Sequence, residues 1–137
     1  MVRLVVVLLS LLCAGCVGSY IDMRPVDPRG WHKPVSVVVE NEDTVALRSL
    51  SVAVRYNDSF ASDTLSVDVQ TSLPDARQCC ERVLLKFEPK YDAAAVVSSQ
   101  SIAYRDKVQF DQCGYYIFTI TPCRNVKGIE AVGVEIK

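Results

Sequence analysis

A single histidine, His32, and a single tryptophan, Trp31, serve the whole 137-residue chain. With one imidazole, a histidine-rich metal cluster is excluded, and a Cys/His nucleophilic pair would have only His32 to draw on. Cys79 and Cys80 are adjacent and lack the C-x₂-C spacing that wraps zinc. The acidic residues stand singly on strand faces and in turns, so no carboxylate pair suggests general acid–base chemistry. Charge of one sign is also missing. Fifteen Lys+Arg face 16 Asp+Glu, for a net charge of −1. That balance leaves no electrostatic footprint for nucleic acid. The chain has no internal repeat, no low-complexity tract and no amphipathic helix of useful length. The expectation is a protein with no catalytic residue, no metal ligand, no cofactor and no nucleic-acid partner.

The longest apolar run lies at the very start. Arg3 is a short positive region, Leu4 to Leu12 is apolar apart from Ser10, and Ala14 and Gly15 are small. This is the layout of a secretory signal peptide over residues 1–15. The run is too short to span a bilayer as a helix, which takes roughly 18–20 residues. The ending Ala14-Gly15-Cys16 resembles the lipobox of bacterial lipoproteins, with Cys13 standing where leucine is usual. In that motif the thiolate of the final cysteine takes a diacylglycerol, which makes Cys16 the expected lipid anchor. Acyl chains contribute about 0.8 kcal/mol per buried CH₂, so two or three hold a soluble domain stably on a membrane. Cleavage without lipid is the alternative. The mature chain would be residues 16–137; loss of Arg3 takes its net charge from −1 to −2. A domain of this size can build a core without metal or disulfide help.

Residues 16–33 read as an extended, lipid-anchored leader. Pro25, Pro28 and Pro34 argue against helix, and Trp31 is expected to plug into the edge of the core. From residue 34 to 137 the pattern is strand-like. Val35 to Glu40 is a β-branched run. Leu50, Val52, Val54 and Tyr56 alternate with Ser51, Ala53 and Arg55; Leu65, Val67 and Val69 alternate with Ser66, Asp68 and Gln70. Val83, Leu85 and Phe87 make a fourth run, and Tyr116, Phe118 and Ile120 a later one. Ile129, Val132, Val134 and Ile136 make the last, with Gly133 as a bulge or a close backbone approach. Ala94 to Phe110 holds one or two strands, and Gln78 to Glu81 reads as a single helical turn. Side chains repeat every two residues in a half-buried strand. Seven to eight such strands, separated by turns such as Asn57-Asp58-Ser59 and Lys127-Gly128, predict an all-β fold. The expected architecture is an antiparallel β-sandwich, immunoglobulin-like or jelly-roll-like.

Four cysteines would remain in the exported domain beyond Cys16: Cys79, Cys80, Cys113 and Cys123. Cys113 and Cys123 flank the strand over Gly114 to Thr121. Ten extended residues span about 33 Å, too far for a bridge between its two ends. Either each pairs with Cys79 or Cys80, or all four are free thiols acting as small buried hydrophobes.

Several blocks together resemble the GldH-type gliding-motility lipoprotein family of the Bacteroidetes. They are a lipoprotein signal followed by Gly30-Trp31, the Pro34-Val35 strand, Asp43-Thr44, and a strand ending in Arg55-Tyr56-Asn57. The C-terminal block is Gly114 to Ile120, then Arg124, Lys127-Gly128-Ile129 and Val132-Gly133-Val134. The middle departs from the family, with Pro74 to Arg82 in place of its Gly- and Trp-bearing stretch. The resemblance implies a cell-envelope lipoprotein; Val17-Gly18-Ser19 after the cysteine carries no acidic cluster, so the expected place is the outer membrane with the domain facing the periplasm. The resemblance also implies attachment to gliding and secretion machinery, and it carries no catalytic residue.

Arg55, Tyr56 and Arg124, at strand ends and loops, are the candidate partner surface. The alternative is a ligand- or glycan-binding sandwich that uses Trp31 with Tyr20, Tyr91, Tyr104 or Tyr115 as an aromatic platform. Two triplets, Asp43-Thr44-Val45 and Asp63-Thr64-Leu65, resemble the O-glycosylation acceptor of Bacteroidetes.

Overall fold

A computed structural model describes residues 19–89 and 94–137. The expected signal peptide over residues 1–15, Cys16 and Tyr91 lie outside the described residues. Eight strands follow in chain order: β1 (Tyr20–Pro25), β2 (Val35–Asn41), β3 (Leu47–Asn57), β4 (Thr64–Ser72), β5 (Gln78–Lys86), β6 (Val97–Gln109), β7 (Gly114–Pro122) and β8 (Ile129–Ile136). They form two four-stranded sheets, β1-β8-β3-β6 and β2-β7-β4-β5. Every pairing is antiparallel.

The order decides between the two expected sandwiches. The first strand pairs with the last, the second with the seventh, the third with the sixth and the fourth with the fifth. This is one long hairpin rolled over itself, the eight-stranded jelly roll. The immunoglobulin fold divides its strands differently between the sheets.

The alternation seen in the sequence is the alternation of the pleat. Val37, Val52, Val54, Val67, Phe118, Ile120, Val132 and Val134 are fully buried between the sheets. Each aliphatic side chain so buried contributes about 1.5–3 kcal/mol relative to exposure. The core has two lobes. One gathers around Trp31, Tyr56, Leu65, Leu85 and Ile129; the other gathers around Leu50, Phe110, Tyr116 and Phe118.

Two local expectations are corrected. The sandwich begins at Tyr20 and not at residue 34: β1 runs beside β8 from Tyr20 opposite Ile136 to Pro25 opposite Ala131. Pro25 closes that strand, and Pro28 falls in the loop beyond. Gln78 to Glu81 is strand, because β4 supplies a ladder that places Cys79 opposite Thr71 and Cys80 opposite Gln70. Of the one or two strands expected between Ala94 and Phe110, the structure has one, β6, 13 residues long. Its register on β3 slips at Leu50, and Lys107 takes a positive φ of 53°.

The two ends of the sandwich differ. The near end carries the start of β1, the C-terminus, and the loops 42–46, 73–77 and 110–113. The far end carries the loops 26–34, 58–63 and 123–128, together with the connection from β5 to β6.

Candidate functional site

At the far end, backbone hydrogen bonds knit three loops into one surface. Trp31 N–H donates to the Val126 carbonyl at 2.7 Å, and Val126 N–H donates back at 3.0 Å. Gly128 N–H reaches the Pro28 carbonyl at 2.8 Å, and Asn57 N–H reaches the Gly128 carbonyl at 2.8 Å. Gly128 has φ +85°, and a side chain there would collide with the backbone of Ser59 and Phe60. Trp31 is only 2% exposed and donates its indole N–H to the Lys33 carbonyl at 2.8 Å. The expectation that it plugs into the core holds.

Two recesses open on this surface. A shallow depression of about 910 Å³ is lined by Ser59, Phe60, Asp63, Arg124, Asn125 and Lys127. A smaller one of about 340 Å³ lies beside Trp31, with Asp27 and His32 at its mouth. There Asp27 accepts hydrogen bonds from the Arg29 backbone and guanidinium at 3.0–3.2 Å. The guanidinium bonds above all hold its carboxyl below the usual carboxylate range. Arg29 is thereby spent. Arg55, Arg124 and Lys127 are exposed, and among the described residues their side chains make no hydrogen bond or ion pair. Glu130 accepts from the Asn57 side-chain amide at 3.1 Å.

The candidate partner residues therefore divide. Arg55 is exposed on the outer face of β3, close to the far end, and Arg124 is exposed in the loop after β7. Tyr56 is not a surface residue: it is 4% exposed and faces the core. Its ring meets Phe60 and Phe87 edge-on, with centroids 5.7 and 5.2 Å away. Its hydroxyl accepts from Gln100 at 2.7 Å. Gln100 in turn holds both the N–H and the carbonyl of Glu88. Tyr56 thus supports the far end from beneath. Lys127, which the sequence shows before a turn glycine and within the C-terminal block of the resemblance, was not among the candidate partner residues.

The cysteines are neither paired nor buried. Cys79, Cys80, Cys113 and Cys123 are all free and exposed. Cys123 lies at the far end, its thiol 3.9 Å from Asp68, which Arg82 holds in an ion pair at 2.9 Å. Cys113 lies at the near end, 3.8 Å from the Glu42 carbonyl. Among the described residues, no group of three His, Cys, Asp or Glu could hold a metal ion.

The aromatic platform does not assemble. Trp31 is buried at the far end, while Tyr20 and Tyr115 are exposed near the opposite end. Tyr104 is largely buried within the sandwich.

No family model matches this chain, and no curated protein or solved structure matches it. The class that the fold defines is the eight-stranded jelly-roll sandwich.

Proposed function

We propose that this chain is a non-catalytic accessory lipoprotein of a bacterial cell envelope, held to the outer membrane through Cys16 with its jelly roll facing the periplasm. Its far end would bind an envelope protein complex, in the manner of the gliding-motility lipoproteins that its terminal blocks resemble. The observation that carries this reading is the set of cations at one end: Arg55, Arg124 and Lys127 are exposed and unused within the chain. Intramolecular pairing does not account for them, and they suit an acidic protein surface. The rigid backing of Trp31, Tyr56 and Gly128 favours binding without rearrangement.

The test is capture of the native protein from its own envelope, with mass spectrometry of its partners and of its N-terminal peptide. Diacylglycerol on Cys16 and a co-purifying envelope complex are expected. The double variant Arg55→Ala, Arg124→Ala should lose the complex yet unfold as the parent does, since exposed substitutions stay within about 0.5 kcal/mol. Undiminished capture by that variant would remove the far end from the interface, and an unmodified Cys16 would remove the anchor.

A further inference from the structure

We infer that the segment Val45 to Leu47, where the β2–β3 loop runs into β3, inserts into the headgroup layer of the membrane and so fixes the domain upright. This rests on Cys16 being the lipid anchor. Cys16 stands four residues before Tyr20, where β1 begins. At about 3.3–3.6 Å per residue the intervening chain reaches at most about 14 Å. Each polar layer of a bilayer is itself roughly 5–8 Å deep. The anchor therefore leaves almost no tether, and the near end of the sandwich must rest against lipid.

That end has the surface the position demands. Val45 is 79% exposed and Leu47 64%. Tyr20, Ile21 and Tyr115 are exposed beside the same end. Tyrosine, with an apolar ring and a polar tip, suits the lipid–water boundary.

The loop also hides its own polar backbone. The Asp43 carboxylate accepts the N–H groups of Val45 and Ala46 at 2.9 and 3.1 Å. Those bonds hold its carboxyl below the usual range. Gln109 donates its amide to the Thr44 carbonyl at 2.7 Å. Backbone groups that enter a poorly hydrated layer must be satisfied internally, and here two donors and one acceptor already are. Lys107, at its positive-φ position, adds an exposed cation close to the same end. Of the remaining exposed aliphatic residues, Val38, Ile117 and Leu84 lie on the strands β2, β7 and β5, while Val96 and Val97 lie at the far end, where this orientation keeps them in water.

The experiment uses full-length, acylated protein in phosphatidylcholine–phosphatidylglycerol vesicles carrying lipids brominated high on their acyl chains. Trp31 is buried, so its emission is a constant background. Val45→Trp and, separately, Leu47→Trp should lose the larger part of the added emission to bromine and be shielded from acrylamide. Val96→Trp should show the reverse. Suppose the protein is acylated and floats with the vesicles, but both variants of the segment behave as Val96→Trp does. Insertion is then overturned while the anchor stands. A chain that carries no acyl group at Cys16 overturns both. A sugar on Thr44 in native protein would also overturn insertion, by placing a large polar group in the loop.

Discussion

Gly133 lies directly against the backbone of Met23, so closely that a β-carbon built on it would overlap the backbone of Asp22 and Met23. The two residues are register partners, and β1 owes its hold on the sandwich to this approach and to its hydrogen bonds with β8. Gly133→Ala must push β1 outward. Overpacking of this kind costs about 1–3 kcal/mol. We expect a lower denaturant midpoint together with faster proteolysis around Tyr20–Pro25; an unchanged midpoint would show that the two strands can part freely.

Trp31 is the chain's only tryptophan and is buried in the lobe that underlies the far end. Its emission should be that of a shielded indole in the folded protein and should shift to the red in one step with unfolding. Trp31→Ala should cost about 3–5 kcal/mol. Trp31→Phe should cost less, while still leaving the Lys33 carbonyl without its indole donor. Strong acrylamide quenching of the native protein would contradict the burial.

The hydroxyl of Tyr104 is buried and has no hydrogen-bond partner among the described residues. Burial, helped by the negative charge of Glu81, pushes its ionisation well above the ordinary tyrosine value of 10.0. The folded chain therefore holds this proton more tightly than the unfolded chain does. The associated stability is complete below about pH 10 and is lost as pH rises beyond that towards the folded value. Tyr104→Phe removes both the unpartnered hydroxyl and this pH dependence. Its stability at pH 7 should match or exceed the parent's by about 1 kcal/mol. Its decline above pH 10 should be shallower in alkaline denaturation followed by circular dichroism, with Tyr116 still contributing, since burial raises it too. A variant clearly weaker than the parent at neutral pH would mean that the hydroxyl has a partner after all.

Cys79, Cys80, Cys113 and Cys123 should all react with iodoacetamide in the folded protein without denaturant or reductant, since all four are free and exposed. Peptide mapping of the alkylated protein reads this directly. Any site that needs reduction before labelling would reveal a disulfide.

Asp68, Asp75, Asp43 and Asp27 are held below the usual carboxylate range, chiefly by hydrogen bonds from Arg82, the Arg77 backbone, the Val45 backbone and Arg29 respectively. A depressed carboxyl contributes stability above its unfolded value of about 3.9, and that stability is lost as pH falls through the folded value. Thermal melts should therefore be flat from pH 7 to about pH 4 and fall below it. Asp43→Asn should flatten part of that acid limb.

The alternation along each strand was enough to determine the class of fold and most of its interior. Successive side chains of a strand point to opposite faces, so Leu50, Val52 and Val54, or Tyr116, Phe118 and Ile120, declare their burial from spacing alone. Even Tyr56 was in phase with that row. Its position near a strand end argued for the surface, and only Phe60 and Phe87, which close over it from two other segments, decided otherwise. Neighbours brought from afar settled the rest. Tyr20–Pro25 is a strand because Ile136 and its neighbours, at the other end of the chain, supply its ladder. Cys79 and Cys80 are strand residues because β4 lies beside them. The jelly-roll order, the meeting of Arg55, Arg124 and Lys127 at one end and of Val45 and Leu47 with Tyr20 at the other, and the free state of the thiols depend likewise on which strands pair. Pairing joins residues remote in the chain, and local spacing carries no record of it.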